Sequence, residues 1–284
     1  MKRWIALWMW LTALMAAGEP LAVRVVAANL TSDRHQQWSP DNANHSNPEG
    51  AGARILKGLE PDVVMMQEFN TSLPVRQWVN RTLGEEFQVF REEVTGIPNG
   101  VISRFPIVSS GSWVDPAVDN RGFAWAELAL PGGRKLWVVS VHLHSKGATS
   151  RDRSAKELVK RIGERVPEEA LLLIGGDFNT RTMEEACFRT LARCVVVPEM
   201  MPADHLGNPN TNAPRNRPYD QVLANTDLEK FSVPVKLGGR MYPGGLVFDS
   251  RVFKPLDALA PVREGDSGLP MMQHMAVVRD FVLK

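Results

Sequence analysis

Four apolar, β-branched runs in this sequence each end in a residue able to bind a cation or a phosphate. Residues 23–28 are followed by Asn29, 63–67 by Glu68, 137–141 by His142, and 171–174 by Gly175-Gly176-Asp177-Phe178-Asn179. In open α/β sheets, ligands bind beyond the carboxyl ends of strands, where side chains from several strands converge. Carboxylates, amides and an imidazole gathered there suit a hard divalent cation together with a phosphate. Mg2+ takes oxygen ligands and keeps several waters, so it needs only one or two protein carboxylates. Singly, each residue has a plainer reading. Glu68 would be a solvated strand end, Asp177 and Asn179 a turn bonded to its own backbone, and His142 a structural histidine. Their order and combination point to chemistry.

These groups meet only if strands and helices alternate to bring them together. Residues 23–28, 62–66, 136–141 and 170–174 read as buried strands, and 219–223, 246–253 and 275–282 as later ones. Asn47 and Pro48 stand where a helix N-cap and first turn belong, Ala51, Ile55, Leu56 and Leu59 recur at helical spacing, and Pro61 stops the helix. A second helix begins at Ser150 and places Ala155, Leu158, Val159, Ile162 and Val166 on one face. Arg151, Arg153, Lys156, Lys160 and Arg161 fall mainly on the other, read as a solvated face. Segments 32–48 and 198–218 are loop-rich, dense in Asn, Pro and Asp, and loops of this length in a compact domain usually serve function. With no internal repeat and no boundary linker, residues 19–284 are expected to form one α/β domain of layered sheets.

The composition narrows the partners. Lys plus Arg number 33 against 32 Asp plus Glu in 284 residues, a formal charge of +1. That balance excludes a histone-like basic protein and leaves room for a local basic groove. A charged share of 23% and a hydrophobic share of 44% exclude wholesale disorder. Met1-Lys2-Arg3, an apolar stretch from 4 to 17 broken only by Thr12, and Ala16-Ala17-Gly18 make the three-part pattern of a secretory signal peptide. Residues 1–18 are therefore expected to be removed, leaving a secreted or periplasmic protein of charge −1 without stable membrane association. Two cysteines are too few for a disulfide scaffold or a thiolate zinc site. Cys187 and Cys194 pair only if a helix ends between them; two free thiols are the alternative.

Asn29, Gln67-Glu68, Asn99-Gly100-Val101-Ile102-Ser103-Arg104-Phe105-Pro106-Ile107, His142-Leu143, Gly176-Asp177-Phe178-Asn179, Tyr219-Asp220 and Gln273-His274 occur in that order. Together they resemble the successive signatures of the endonuclease/exonuclease/phosphatase superfamily, over about residues 23 to 283. That superfamily includes pancreatic-type deoxyribonucleases, abasic-site exonucleases, inositol-phosphate phosphatases and neutral sphingomyelinases. The resemblance implies a four-layer α-β-β-α sandwich of two mixed β-sheets with helices outside. It also implies hydrolysis of a phosphate ester by in-line attack of water with Mg2+ or Mn2+. Carried over residue by residue, Glu68 is the principal metal carboxylate, assisted by Asn29. Asp177 orients and activates the water, and Asn179 holds the water or the phosphate. His274 donates to the phosphoryl oxygen or moves a proton, Asp220 fixes its tautomer, and His142 is a second phosphate-side imidazole.

One departure stands out. Gln273 occupies a position usually held by a metal-binding aspartate, so weaker metal affinity, or rescue by Asp266, is expected. Asn99, Arg121 and Lys146 are candidates for phosphate contact, and Arg121, Lys146, Arg151 and Arg215 for a local basic groove. The expected protein is a monomeric, metal-dependent phosphodiesterase, a nuclease acting on nucleic acid. A lipid- or inositol-phosphate hydrolase is the in-class alternative, and a non-catalytic binding module on the same fold the out-of-class one. Gly265-Asp266-Ser267-Gly268 copies a serine-protease nucleophile motif, but neither the upstream histidine segment nor enough chain beyond it is present. Ser267 is expected to be a loop residue.

Overall fold

The computed structural model describes residues 19–30, 49–71, 73–269 and 272–284. The expected signal peptide, the loop at 32–48 and the helix start at Asn47-Pro48 lie outside the described residues. The chain runs through β1 (Leu21–Ala28), α1 (Ala51–Leu59), β2 (Val63–Met66), α2 (Val75–Thr82), β3 (Gln88–Arg91), β4 (Gly100–Ser103), β5 (Ile107–Val114), β6 (Gly122–Ala129) and β7 (Lys135–His142). There follow α3 (Ala148–Arg165), β8 (Leu171–Asp177), α4 (Ala186–Leu191), β9 (Asp220–Ala224), α5 (Thr226–Glu229), β10 (Ser232–Val233), β11 (Val235–Leu237), β12 (Arg240–Tyr242), β13 (Leu246–Phe248) and β14 (Ala276–Leu283).

Two mixed sheets result. One has the order β10-β14-β1-β2-β4-β3, with β13 also paired to β14, and the other the order β5-β6-β7-β8-β9. Side chains alternate across each strand, and the alternation sorts them into layers. Val25, Ala27, Val63 and Met65 of the first sheet meet Ala126, Val138, Leu173 and Val222 of the second in a core between the sheets. Val26, Ala28, Val64 and Met66 face the other way, onto Ile55, Leu56 and Trp78 of α1 and α2. Val139, Val141, Leu172 and Ile174 likewise pack under Leu158 and Ile162 of α3 and Phe188 of α4. The fold is thus the four-layer sandwich expected from the sequence.

Register fixes where the polar strand ends fall. β1 and β2 are parallel, with Ala28 opposite Met66, so Asn29 and Glu68 leave the first sheet at the same edge. β7 and β8 are parallel with His142 opposite Asp177, and antiparallel β9 begins with Asp220 opposite Asp177. β14 runs antiparallel to β1, so His274, just ahead of it, comes to that edge as well. Two glycines permit the approach. A Cβ at Gly52 of α1 would stand 2.3 Å from the Leu30 carbonyl oxygen, clamping the chain beside Asn29. Gly176, at φ +135°, lies where a Cβ would stand 2.2 Å from the Val141 carbonyl and 2.5 Å from Gln67 Nε2.

Several local expectations are corrected or resolved. α1 begins at Ala51, with Gly50 at its N-cap, and ends where Glu60 turns left-handed at φ 50°. The strand expected over 246–253 stops at Phe248, because Asp249 turns the chain and takes the amides of Val252 and Phe253 on its carbonyl. Arg151 is buried rather than on a solvated face, and forks onto Glu185 at 2.7 and 2.8 Å. Cys187 and Cys194 are free thiols, and burial pushes each up to about 12. Ser267 is a buried turn residue whose Oγ accepts from the Ser250 amide, while its own amide donates to Ser250 Oγ. No described helix is long and apolar enough to cross a membrane.

Leu173 is fully buried between the sheets. Leu173→Ala should therefore lower unfolding free energy by ~2–5 kcal/mol, measured as a lower urea midpoint at unchanged slope; an unmoved midpoint would contradict the packing described.

Candidate active site

Oδ2 of Asp177 is the point on which the strand ends converge. Asn29 Nδ2 lies 3.2 Å from it and Asn179 Nδ2 3.1 Å. His142 Nε2 approaches to 3.2 Å and His274 Nε2 to 3.6 Å. The other oxygen, Oδ1, accepts the Asn179 amide at 2.8 Å, across a turn in which Asn179 is left-handed at φ 53°. Asp177 is 1% exposed. Glu68, itself left-handed at φ 51°, brings Oε1 to 3.4 Å from Asn29 Nδ2 and 3.9 Å from His142 Nε2. Asn29 thus bridges the two acids.

His274 is held from behind. Its Nδ1 lies 2.9 Å from Asp220 Oδ2, which also accepts from Thr211 Oγ1 at 2.7 Å. This leaves Nε2 facing Asp177. Burial opposes the imidazolium, but Asp220 and Asp177 outweigh it and push His274 up to about 10. His142 goes the other way: burial, then the charges of Arg121 and His274, hold it well below the usual imidazole range. A neutral His142 therefore presents an Nε2–H to Asp177, and its buried Nδ1 has no hydrogen-bond partner among the described residues. Burial raises Asp177 to about 6, against the pull of His274. One neutral imidazole, one charged imidazole and an acid poised near neutrality make an acid–base set.

The donor set suits a hard cation. Glu68, Asp177 and Asp220 supply three buried carboxyl groups against two cations, Arg121 and His274, so one acid is in excess. The ligand atoms of Asp177, Asp220 and His274 lie within 4.8 Å of one another. His274 is nevertheless a poor ligand, since Nδ1 is engaged and the ring holds its proton. Glu68 with Asn29, on the other side of Asp177, fits Mg2+ or Mn2+ better; an asparagine amide turned about χ2 offers its oxygen where its nitrogen now lies.

The remaining sequence candidates are placed differently. Arg121 is buried beneath the site, where its Nε and Nη2 hold the carbonyls of His142 and Leu143 at 2.5 and 3.0 Å. It supplies field to Asp177 and Glu68 while fixing the loop after β7. Asn99 is fully buried, with Nδ2 on the Gly122 carbonyl and its amide on Glu92. Lys146 is exposed beyond that loop. Gln273 is exposed, and its carbonyl takes the Ala213 amide. Asp266 is forked by Arg54 at 2.5 and 3.0 Å, so its carboxylate is already spent and does not stand in for the missing aspartate. Arg215 is likewise consumed, by Asp204 and Asp249. With Arg151 on Glu185, the expected basic groove does not form from these cations.

Three supports were not read from the sequence. Thr211 lies in a loop with no spacing signal, Arg151 is drawn inward by Glu185, and Gln67 braces the floor by donating Nε2 to Ser140 Oγ and the Met65 carbonyl. Gln67 alone had a signal, its place beside Glu68. A cavity of about 1110 Å3 opens at the far end of β1, beside Arg24 and Asp62, and none of the converging residues line it.

A family model described as Endonuclease/Exonuclease/phosphatase family matches residues 42–239. Among solved structures, the chain is similar to an endonuclease/exonuclease/phosphatase from Bacteroides vulgatus, with 17% identity and a TM-score of 0.63 over 93% of this chain and 100% of that one. It is similar to D. rerio TDP2 complexed with single strand DNA product, with 18% identity and a TM-score of 0.62 over 92% of this chain and 98% of that one. Beta toxin from Staphylococcus aureus shares 13% identity at a TM-score of 0.55, over 90% of this chain and 99% of that one. No curated protein matches the sequence. At these identities the structural likenesses concern the fold.

In metal-free protein, the His274 ring should titrate by NMR near pH 10, far above free imidazole. In Asp220→Asn the midpoint should fall toward neutrality, because the largest favourable charge is gone. An Asp220→Asn midpoint equal to that of the parent protein would show that the pair does not set the imidazole's charge.

Proposed function

The chain belongs to the endonuclease/exonuclease/phosphatase family, and from that premise we propose that it is a Mg2+- or Mn2+-dependent phosphodiesterase, a nuclease acting on a nucleic-acid strand. The observation that carries this reading is the shared Asp177 carboxylate, met by two imidazoles in opposite protonation states beside Glu68 and Asn29. When bound by Glu68 and Asn29, the metal ion supplies charge neutralisation on the phosphoryl oxygens. Asp177, near its own pKa at neutrality, takes a proton from the attacking water. Asn179 Nδ2, fixed on Asp177 and the Leu143 carbonyl, orients that water or the phosphate. His274 donates from Nε2 to the phosphoryl oxygen or leaving group, and Asp220 keeps it charged while it does so. His142, neutral, donates a hydrogen bond on the same side.

The DNA product in the D. rerio TDP2 structure supports the nucleic-acid choice. Internal pairing of Arg151 and Arg215 favours a short or single strand over a long duplex, since backbone affinity grows with the number of phosphates neutralised. The same pairing makes a small phosphoester, such as an inositol phosphate, the second reading. The proposal includes export, with the protein working as a monomer away from membranes.

Purified protein should hydrolyse bis(p-nitrophenyl) phosphate with Mg2+ or Mn2+ and stop on addition of EDTA. Asp177→Asn should lower kcat by ~10²–10⁴, and Glu68→Gln should raise the metal concentration needed for half-maximal rate. Wild-type turnover by Asp177→Asn, or activity indifferent to EDTA, would refute the reading. For export, N-terminal sequencing of protein recovered outside the cytoplasm should begin at Glu19; recovery of intact Met1 protein only from the cytoplasm would contradict it.

A further inference from the structure

Arg217 stands at the rim of the site, beside Tyr219. Its Nη1 donates to Tyr219 Oη at 3.1 Å, and the Tyr219 ring packs 5.7 Å from the His274 ring, centroid to centroid. Tyr219 thus stands in contact with both groups, its hydroxyl on the guanidinium and its ring on the imidazole. Arg217 is half-buried, and among the described residues no carboxylate pairs with it. A guanidinium has five N–H donors, and this one spends a single donor on the tyrosine. A partly desolvated cation without an acid costs free energy until an anion arrives.

The backbone around it is fixed. The Arg217 carbonyl accepts the amides of Thr211, Asn212 and Tyr219 at 2.9, 3.3 and 3.1 Å. Asn212 Oδ1 in turn accepts the amides of Asn216 and Arg217 at 2.9 and 2.8 Å. Thr211 is the residue that braces Asp220, so one hydrogen-bonded loop holds both the partner of His274 and Arg217. Two residues earlier, Arg215 gives its charge to Asp204 and Asp249, anchoring the loop and leaving Arg217 as the cation it presents.

We propose that Arg217 is a substrate-binding residue that clamps a second phosphate, the one flanking the scissile phosphate on the His274 side. This rests on the phosphoesterase reading of the site and narrows its substrate to a doubly phosphorylated one. The Tyr219 spacer keeps the guanidinium off the scissile group, so the clamp acts on binding rather than on the chemical step. The second phosphate comes from a neighbouring nucleotide or from a polyphosphorylated small molecule.

Two substrate pairs separate these sources: thymidylyl-thymidine with and without a 5′-phosphate, and inositol 1,4-bisphosphate against inositol 1-phosphate. Wild-type protein, Arg217→Ala and Arg217→Lys are assayed on both pairs and on bis(p-nitrophenyl) phosphate, with melting temperatures as the folding control. Arg217→Ala should raise KM for the doubly phosphorylated member of one pair by ~10–100-fold, the loss of one charge-assisted contact. Its kcat should hold, and the singly phosphorylated esters should be unaffected. Arg217→Lys should recover part of the loss, keeping charge without the fork. The pair that responds identifies the source. Equal losses on single and double phosphates, or no loss on either, would overturn the clamp. Absence of any wild-type turnover would instead refute the phosphoesterase reading. Titration calorimetry with the same ligands then decides the clamp separately, since Arg217→Ala must weaken the doubly phosphorylated ligand alone.

Discussion

A single carboxylate oxygen, Oδ2 of Asp177, accepts contacts from side chains contributed by both sheets, and strand register makes that possible. His142, Asp177 and Asp220 begin or end neighbouring strands at one level of the second sheet. Asn29 and Glu68 leave parallel strands of the first, and His274 enters beside them. A one-residue slip in any of these ladders would turn a strand's side chains to its opposite face. The apolar core between the sheets, with Val25, Met65, Val138 and Leu173 locked in alternation, is what forbids the slip. Packing and chemistry are therefore one constraint seen from two ends of the same strands.

Gathering acids and imidazoles in a dry place is costly, and desolvation is the largest influence on Asp177, His142 and His274 alike. The cluster answers by differentiating its members. The imidazole backed by Asp220 keeps its proton, and the one backed by a guanidinium loses it. Asp177 and His274 both bind their protons more tightly folded than unfolded, so both withdraw stability as pH rises. Asp177 does so between 3.8 and about 6, and His274 between 6.5 and about 10. At neutral pH Asp177 has lost its contribution while His274 still holds most of its own, and buried groups shifted this far by desolvation and specific charge partners mark a functional site more than a structural one.

Strand ends were the legible part of the sequence. Apolar runs terminating in Asn29, Glu68, His142 and Asp177 stated which side chains would share an edge, because a buried strand leaves its first polar residue at the rim. Partners supplied by loops were not legible: Thr211 and Arg217 come from the 198–218 segment, whose course is set by its own hydrogen bonds rather than by a period. Arg151 shows a subtler failure. It stands four residues before Ala155, on the same stripe as Leu158 and Ile162, so helical spacing had already put it inside. Its charge suggested solvent, and only Glu185 from a distant turn makes burial tolerable. Arg215 was misread for the same reason, since one of its acids, Asp249, lies outside its own segment and the other, Asp204, stands at the far side of the same loop.

If Asp177 and His274 serve one transition state through the contact between them, their contributions to rate must be coupled. A double-mutant cycle with His274→Gln, Asp177→Asn and the combined variant, scored by kcat/KM on bis(p-nitrophenyl) phosphate, measures that coupling directly. Coupling of this kind leaves the combined variant scarcely slower than the worse single variant, as for residues acting as a unit. Losses that multiply in full would mean two independent groups, and would contradict a centre organised around the Asp177 carboxylate.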